Sequence, residues 1–295
     1  MRYTIENESL KIEIDSYGAE LKSVVNKKTG FEYMWCANPE YWGRTSPILF
    51  PFVGDLVDKK YRFEDKEYSM SSHGFARDSE FELKEKSETE IWFELKDSAK
   101  TYSCYPFHFE LLLGYVVRGM ELDVLWKVKN PGQDRQNDTL FFNIGAHPAF
   151  NCPINGEPDK SGYKLNFGSV DKIKHHGNLY GTCTHEDLTL ELSDGRTVIT
   201  KEFFDRTTYI VEGNQTGFVA IETPDGHAYV KVLFDTPLFG IWSPTQGKNA
   251  PFVCIEPWCG RADWDDYAGT LEDREYTNSL NVGEVFENKY TVVFD

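Results

Sequence analysis

Nowhere in the 295 residues does a run of a dozen carry the apolar spacing of an amphipathic helix, and no fixed-period repeat is visible. What recurs is a short segment of alternating apolar and polar residues, closed by a turn roughly every 8 to 12 residues. TIEN, LKIEID and AELKSVV open the chain this way, with Lys27-Lys28-Thr29-Gly30 as a turn. EFELKEK, EIWFELKD, FHFELLLGYVV and MELDVLWKVKN follow, the last running into Asn130-Pro131-Gly132; FVAIETP, AYVKVLF, FGIWSPT and YTVVF resume the pattern near the end. Alternation sends successive side chains to opposite faces, so Leu122, Val124, Trp126 and Val128 share one face, and Glu121, Asp123, Leu125 and Lys127 the wetter one. The pattern predicts an all-β chain: a large antiparallel β-sandwich spanning residues 1–295 as one domain. Helix is expected only in short turns, such as one capped by Asn38 in Asn38-Pro39-Glu40. YRFEDKEYSM reads as a hairpin around Asp65-Lys66, and the polar, turn-rich region up to Arg206 as loop.

Charge and cysteine usage narrow the partners. A net charge of −17 repels polyanions over the whole surface, which argues against nucleic acid and anionic membranes. The chain contains no stretch of 18 apolar residues and its first residues are charged, so neither a membrane span nor a signal peptide is expected and the location reads as cytoplasmic. Six cysteines without CxxC spacing, several inside apolar strands, read as reduced core thiols, with no disulfide and no zinc. His175, His176 and His185 lack the neighbouring ligand spacing of a metal site and read as solvated loop. An aromatic content of 15% supplies ring faces for a sugar, so a small neutral ligand fits best.

Three stretches carry chemistry. In PFVCIEPWCGRADW, from Pro251 to Trp264, Glu256 interrupts an apolar strand, and Pro257 removes a backbone donor, so the strand is expected to stop there or lie at an edge. A carboxylate desolvated among aromatics has a raised pKa and serves as a proton acceptor near neutral pH. In TLFFNIGAHPAFN, His147 is followed by Pro148 in the same way. SSHGFARD places His73 and Arg77 about Phe75, although a loop histidine is most often simply solvated. Arg44 opens RTSPILFPFVG, whose two prolines argue for an irregular segment lining something. Trp242, in FGIWSP, offers either a ring face to a sugar or a core side chain.

In this order HGFAR, AHPAF and CIEPW resemble the aldose 1-epimerase (galactose mutarotase) family over nearly the whole chain. WGRTSPILFP, FGIWSP and PFVCIEPWCG look like the bacterial branch related to the LacX proteins. The resemblance implies the family's antiparallel super-sandwich and no metal or organic cofactor. It implies Glu256 as catalytic base, His147 as catalytic acid, His73 as the other active-site histidine, and Arg77 and Arg44 in substrate-facing segments. The family also takes a substrate-binding aspartate from the segment that reads KEFFDRTTYIV here; Asp205 is the only carboxylate in its FFDRTTY part, but aligned on the flanking apolar residues it falls about two positions early, and Thr207 takes the expected place. The activity implied is interconversion of the α and β anomers of a free aldohexose, by a monomer or homodimer. A histidine with a pKa near 6.5 would serve both directions of proton transfer. Two other readings stay open: a mutarotase for a hexose 6-phosphate gripped by Arg44 and Arg77, and a non-catalytic sugar-binding protein of the same fold.

Overall fold

The computed structural model describes residues 1–132, 139–179, 181–205, 208–244 and 249–295. Two large antiparallel sheets dominate it. The first has nine strands, in spatial order Arg196–Val198, Lys164–Asn166, Phe218–Glu222, Ala228–Phe234, Val285–Phe294, Glu121–Lys129, Glu110–Arg118, Glu90–Lys96 and Glu82–Lys86. The second has eight: Thr182–Glu191, Lys172–Leu179, Tyr209–Glu212, Leu238–Trp242, Phe252–Cys259, Ile144–Ala146 and Ile48–Leu49, with Ala149–Asn151 also paired to Phe252–Cys259. They form a β-sandwich, because each alternating strand must bury its apolar face and the only partner of matching extent is the other sheet. Phe234 of the first meets Phe239 of the second with ring centroids 5.1 Å apart. Leu122, Val124, Trp126 and Val128 all point into this core, as their spacing predicts. Each such fully buried side chain contributes about 1.5–3 kcal/mol. No described helix is long and apolar enough to cross a membrane.

The expected helix after Asn38 is absent. The Asn38 side-chain oxygen accepts the Glu40 N–H, and its carbonyl accepts the Tyr41 and Trp42 N–H groups, which closes a turn instead. Among the described residues, α-helix occurs at Ala99–Cys104, six residues started by a reciprocal cap. There Ser98 Oγ accepts the Thr101 N–H and Thr101 Oγ1 accepts the Ser98 N–H. The hairpin Lys60–Phe63 to Lys66–Ser69 forms as read, but Phe63 pairs with Lys66, so its turn is Glu64-Asp65. The polar region before Arg206 is not loop: Lys172–Leu179 and Thr182–Glu191 form a long hairpin that carries all three histidines. His175 is buried against Tyr209, with centroids 4.6 Å apart.

Candidate active site

The strand Phe252–Cys259 is buried along its whole length, and alternation sorts it into two sides. Val253 and Ile255 join the main core between the sheets. Phe252 and Cys254 pack outward with Trp35 and Ala149, while Trp258 joins a separate cluster with Leu49, Val53 and Leu238. Glu256 falls on the outward side between those two clusters, 1% exposed.

Pro257 does not end the strand, which continues to Cys259 near the middle of the sheet. The Ile255 N–H points to Pro148 O, so the absent N–H of Pro257 falls on the same side, where the neighbouring chain is itself interrupted. Ala149 faces Cys254 and Gly145 faces Trp258 across that interruption. Both partners advance by the same four residues, so the register is unbroken and His147 falls opposite Glu256. Residues opposite one another in antiparallel strands put their side chains on one face. His147 Nε2 accordingly lies 3.2 Å from Glu256 Oε2. The two proline motifs therefore meet as register partners across a gap, not as strand ends.

On its other side Glu256 faces Gly240. A Cβ there would sit 2.5 Å from the Trp258 ring, and one on Gly145 would sit 2.7 Å from it. Both strands need glycine so that the indole can lie flat beside the carboxylate. The result is a cavity of about 320 Å³ lined by His147, Glu256, Trp258, His73, Arg77, Trp42 and Trp242, with Gly54, Ser72, Asn178, Gly181, Thr208, Ile210 and Ala262 completing it.

His73 is not a solvated loop residue. It has φ of 62° and Gly74 has φ of 74°, and a Cβ on Gly74 would lie 2.2 Å from Phe50 O, so only glycine follows a histidine turned this way. The Gly54 N–H donates to His73 Nδ1 at 3.0 Å, which leaves the proton of the neutral ring on Nε2. Arg77 donates from Nη2 to Ser72 O, while its buried Nε lacks a hydrogen-bond partner. Trp42 stacks on His147 with centroids 4.7 Å apart and Trp242 meets the same ring edge-on at 5.3 Å. Trp242 is thus a wall of the cavity. Trp42 was missed in the sequence; its signal was an indole two residues before the segment, opened by Arg44, that was read as lining.

Two expected residues lie elsewhere. Arg44 does not line the cavity, and donates to Asp78 Oδ1 at 2.9 Å. Asp205 is exposed in the turn Lys201–Asp205, away from the lining, because its chain folds back through its N–H to Glu202 O. Thr207 lies outside the described residues.

Residues 1–281 match the family model described as aldose 1-epimerase. The chain belongs to the aldose 1-epimerase family. It is 29% identical over 301 residues to the plasmid-encoded protein LacX of Lactococcus lactis subsp. lactis, covering 99% of each. Among solved structures, a galactose mutarotase related enzyme from Lactobacillus acidophilus is 34% identical, with a TM-score of 0.92 over 100% of this chain and 97% of that one. A galactose mutarotase-like protein from Lactobacillus casei is 28% identical, with a TM-score of 0.90 and full coverage of both chains.

In this family member burial dominates the electrostatics of the site. Burial raises the Glu256 pKa well above its usual 4.5. Burial pushes His147 down to about 3; its own backbone carbonyl opposes this, and the Arg77 and Arg44 cations add to it. That is below the ordinary histidine value the sequence suggested, because a largely buried ring has little solvent around it to hold a charge. His73 is lowered for the same first reason, with His147 and the nearby cations reinforcing it. Both Glu256 oxygens, His147 Nδ1 and Trp258 Nε1 are buried without hydrogen-bond partners, although His147 and Glu256 are close. Unpaired polar groups of this kind cost about 1–3 kcal/mol each. A ligand bearing several hydroxyls would supply the missing partners.

One consequence concerns stability. A carboxyl whose pKa is higher folded than unfolded contributes stability fully below its unfolded pKa and loses it as pH rises through the folded value. Wild type thus loses stability relative to Glu256→Gln as pH rises above 4.5, toward the raised value. Thermal melts at several pH values should show the variant's Tm advantage growing across that interval. A difference constant with pH would mean that Glu256 titrates normally.

Proposed function

We propose that this protein is an aldose 1-epimerase that interconverts the α and β anomers of a free aldohexose, with Glu256 as base and His147 as acid. The observation that carries the reading is the 3.2 Å contact between His147 Nε2 and Glu256 Oε2 in the lining of a cavity walled by both tryptophans and polar side chains. Ring opening removes the proton from the anomeric hydroxyl and delivers one to the ring oxygen. Both oxygens hang on the same carbon, so base and acid must be immediate neighbours. Glycosidic cleavage instead uses two carboxyl groups about 5–10 Å apart, and among the described residues Glu256 is the sole carboxylate lining this cavity.

The pair needs one proton between its members throughout. When the hydroxyls of the closed sugar engage the pair, the carboxyl proton of Glu256 passes to His147 across the 3.2 Å contact, and Glu256 then takes the O1 proton as His147 protonates O5. The aldehyde is then held by a neutral carboxyl and a neutral imidazole, the form that burial favours. Rotation about the bond between C1 and C2 and the reverse transfers give the other anomer. Trp42 and Trp242 offer ring faces to the apolar side of the sugar, and His73 Nε2–H and Arg77 serve its hydroxyls.

Polarimetry of freshly dissolved α-glucose and α-galactose, with and without protein, tests the reading. A sugar that binds without faster decay of rotation would instead support a non-catalytic sugar-binding protein. We also expect neutral hexose to be preferred over its 6-phosphate. The protein carries a net charge of −17, Arg44 is engaged by Asp78, and among the described residues Arg77 is the lone Lys or Arg side chain lining the cavity. Faster anomerisation of glucose 6-phosphate than of glucose would reverse that ranking.

A further inference from the structure

Cys254 lies two residues before Glu256 on the same outward face of the strand, opposite Ala149 and behind the cavity rather than in its lining. One ligand atom each from His147, Cys254 and Glu256 fall within 4.8 Å of one another, and all three residues are buried. Two ligand atoms about 2.1 Å from a tetrahedral zinc-like ion sit about 3.4 Å apart. The observed 3.2 Å between His147 Nε2 and Glu256 Oε2 already has that spacing. Nitrogen, thiolate and carboxylate together suit a borderline or soft cation rather than magnesium or calcium.

We propose that His147, Cys254 and Glu256 form an inhibitory site for a thiophilic divalent cation such as zinc or cadmium, whose fourth position opens on the sugar cavity. Binding would displace the thiol and carboxyl protons to solvent and leave a dication with two anionic ligands and one neutral one, a net charge of zero. That balance matters in a dry site, which resists any single charge but accepts a neutral assembly. Neither carboxylate oxygen has a hydrogen bond to give up. The ion would occupy the lone pairs of Glu256 and His147, so inhibition, unlike binding, rests on their proposed catalytic roles.

Cadmium alone is the probe, because its thiolate bond absorbs in the ultraviolet. Cys36 is exposed, so Cys36→Ala provides the background. Titration should give a cadmium–thiolate band saturating at one equivalent, absent after Cys254→Ala. Glu256→Gln keeps the sulfur and the shape but removes one ligand, so cadmium affinity should fall roughly tenfold or more. In polarimetry, cadmium should abolish anomerisation, EDTA should restore it, and the Cys254→Ala protein should remain active and resistant. No band, or a band unchanged by Cys254→Ala, overturns the site. A Cys254-dependent band with undiminished anomerisation supports the site and removes instead the catalytic roles of Glu256 and His147.

Discussion

Replacing Glu256 by Gln should lower the rate of anomerisation by roughly 10²- to 10⁴-fold while sugar affinity changes little. The amide preserves volume and can still hydrogen-bond, but it cannot accept the O1 proton. His147→Asn should fall by a similar factor, because O5 then leaves without a proton. The two losses should not multiply. The proposed pair shares one proton across 3.2 Å, and each transfer is useless without the other; the double variant should therefore sit close to the worse single one. Polarimetric rates for the four proteins, with sugar binding measured separately, decide the matter. Near-full activity of Glu256→Gln would remove the base from the only carboxylate that the described residues place in the cavity lining.

How much of this was legible in the sequence depends on what each feature needs. Strand periodicity is local, so Leu122, Val124, Trp126 and Val128 announced their common face, and the sandwich followed. The Glu256 and His147 motifs were also visible, but the reason they meet was not. Register is a property of two distant segments, and nothing in AHPAF or CIEPW alone says that Gly145 faces Trp258. Pro257 misled for the same reason: a proline inside a sheet is tolerated when its missing donor falls at a gap in the partner strand, and the gap is tertiary. His175 was misread because KIKHHGNL is polar at nearly every position, so the alternation that buries Ile173 and His175 and exposes Lys174 does not show in residue type. The short helix at Ala99–Cys104 was signalled by Ser98 and Thr101, a cap with threonine in place of the usual acid or amide.

The largest loss of stability is expected from a residue outside the chemistry, Asp263. Its carboxylate accepts from Arg274 Nε at 2.6 Å and from the Val57 N–H at 3.1 Å. Arg274 completes the network by donating to Asn143 Oδ1 and to Arg261 O, each at 3.0 Å, and both charged side chains are 4% exposed. Asp263→Ala leaves that guanidinium buried without its counter-charge, which costs about 3–5 kcal/mol. Domains are stable by only about 5–15 kcal/mol, so urea denaturation should register a loss of about a fifth or more. The penalty belongs to the orphaned charge rather than to the pair itself. Asp263→Leu combined with Arg274→Met should therefore be more stable than Asp263→Ala alone. A double replacement at least as damaging as the single one would instead locate the loss in the Val57 and Arg261 backbone contacts. Those contacts bear on the site, because Ala262, beside Asp263, closes on Gly54 and both line the cavity. The network holds one wall of the cavity at a distance from the reacting atoms, so Asp263→Ala should weaken sugar binding more than it slows bound sugar.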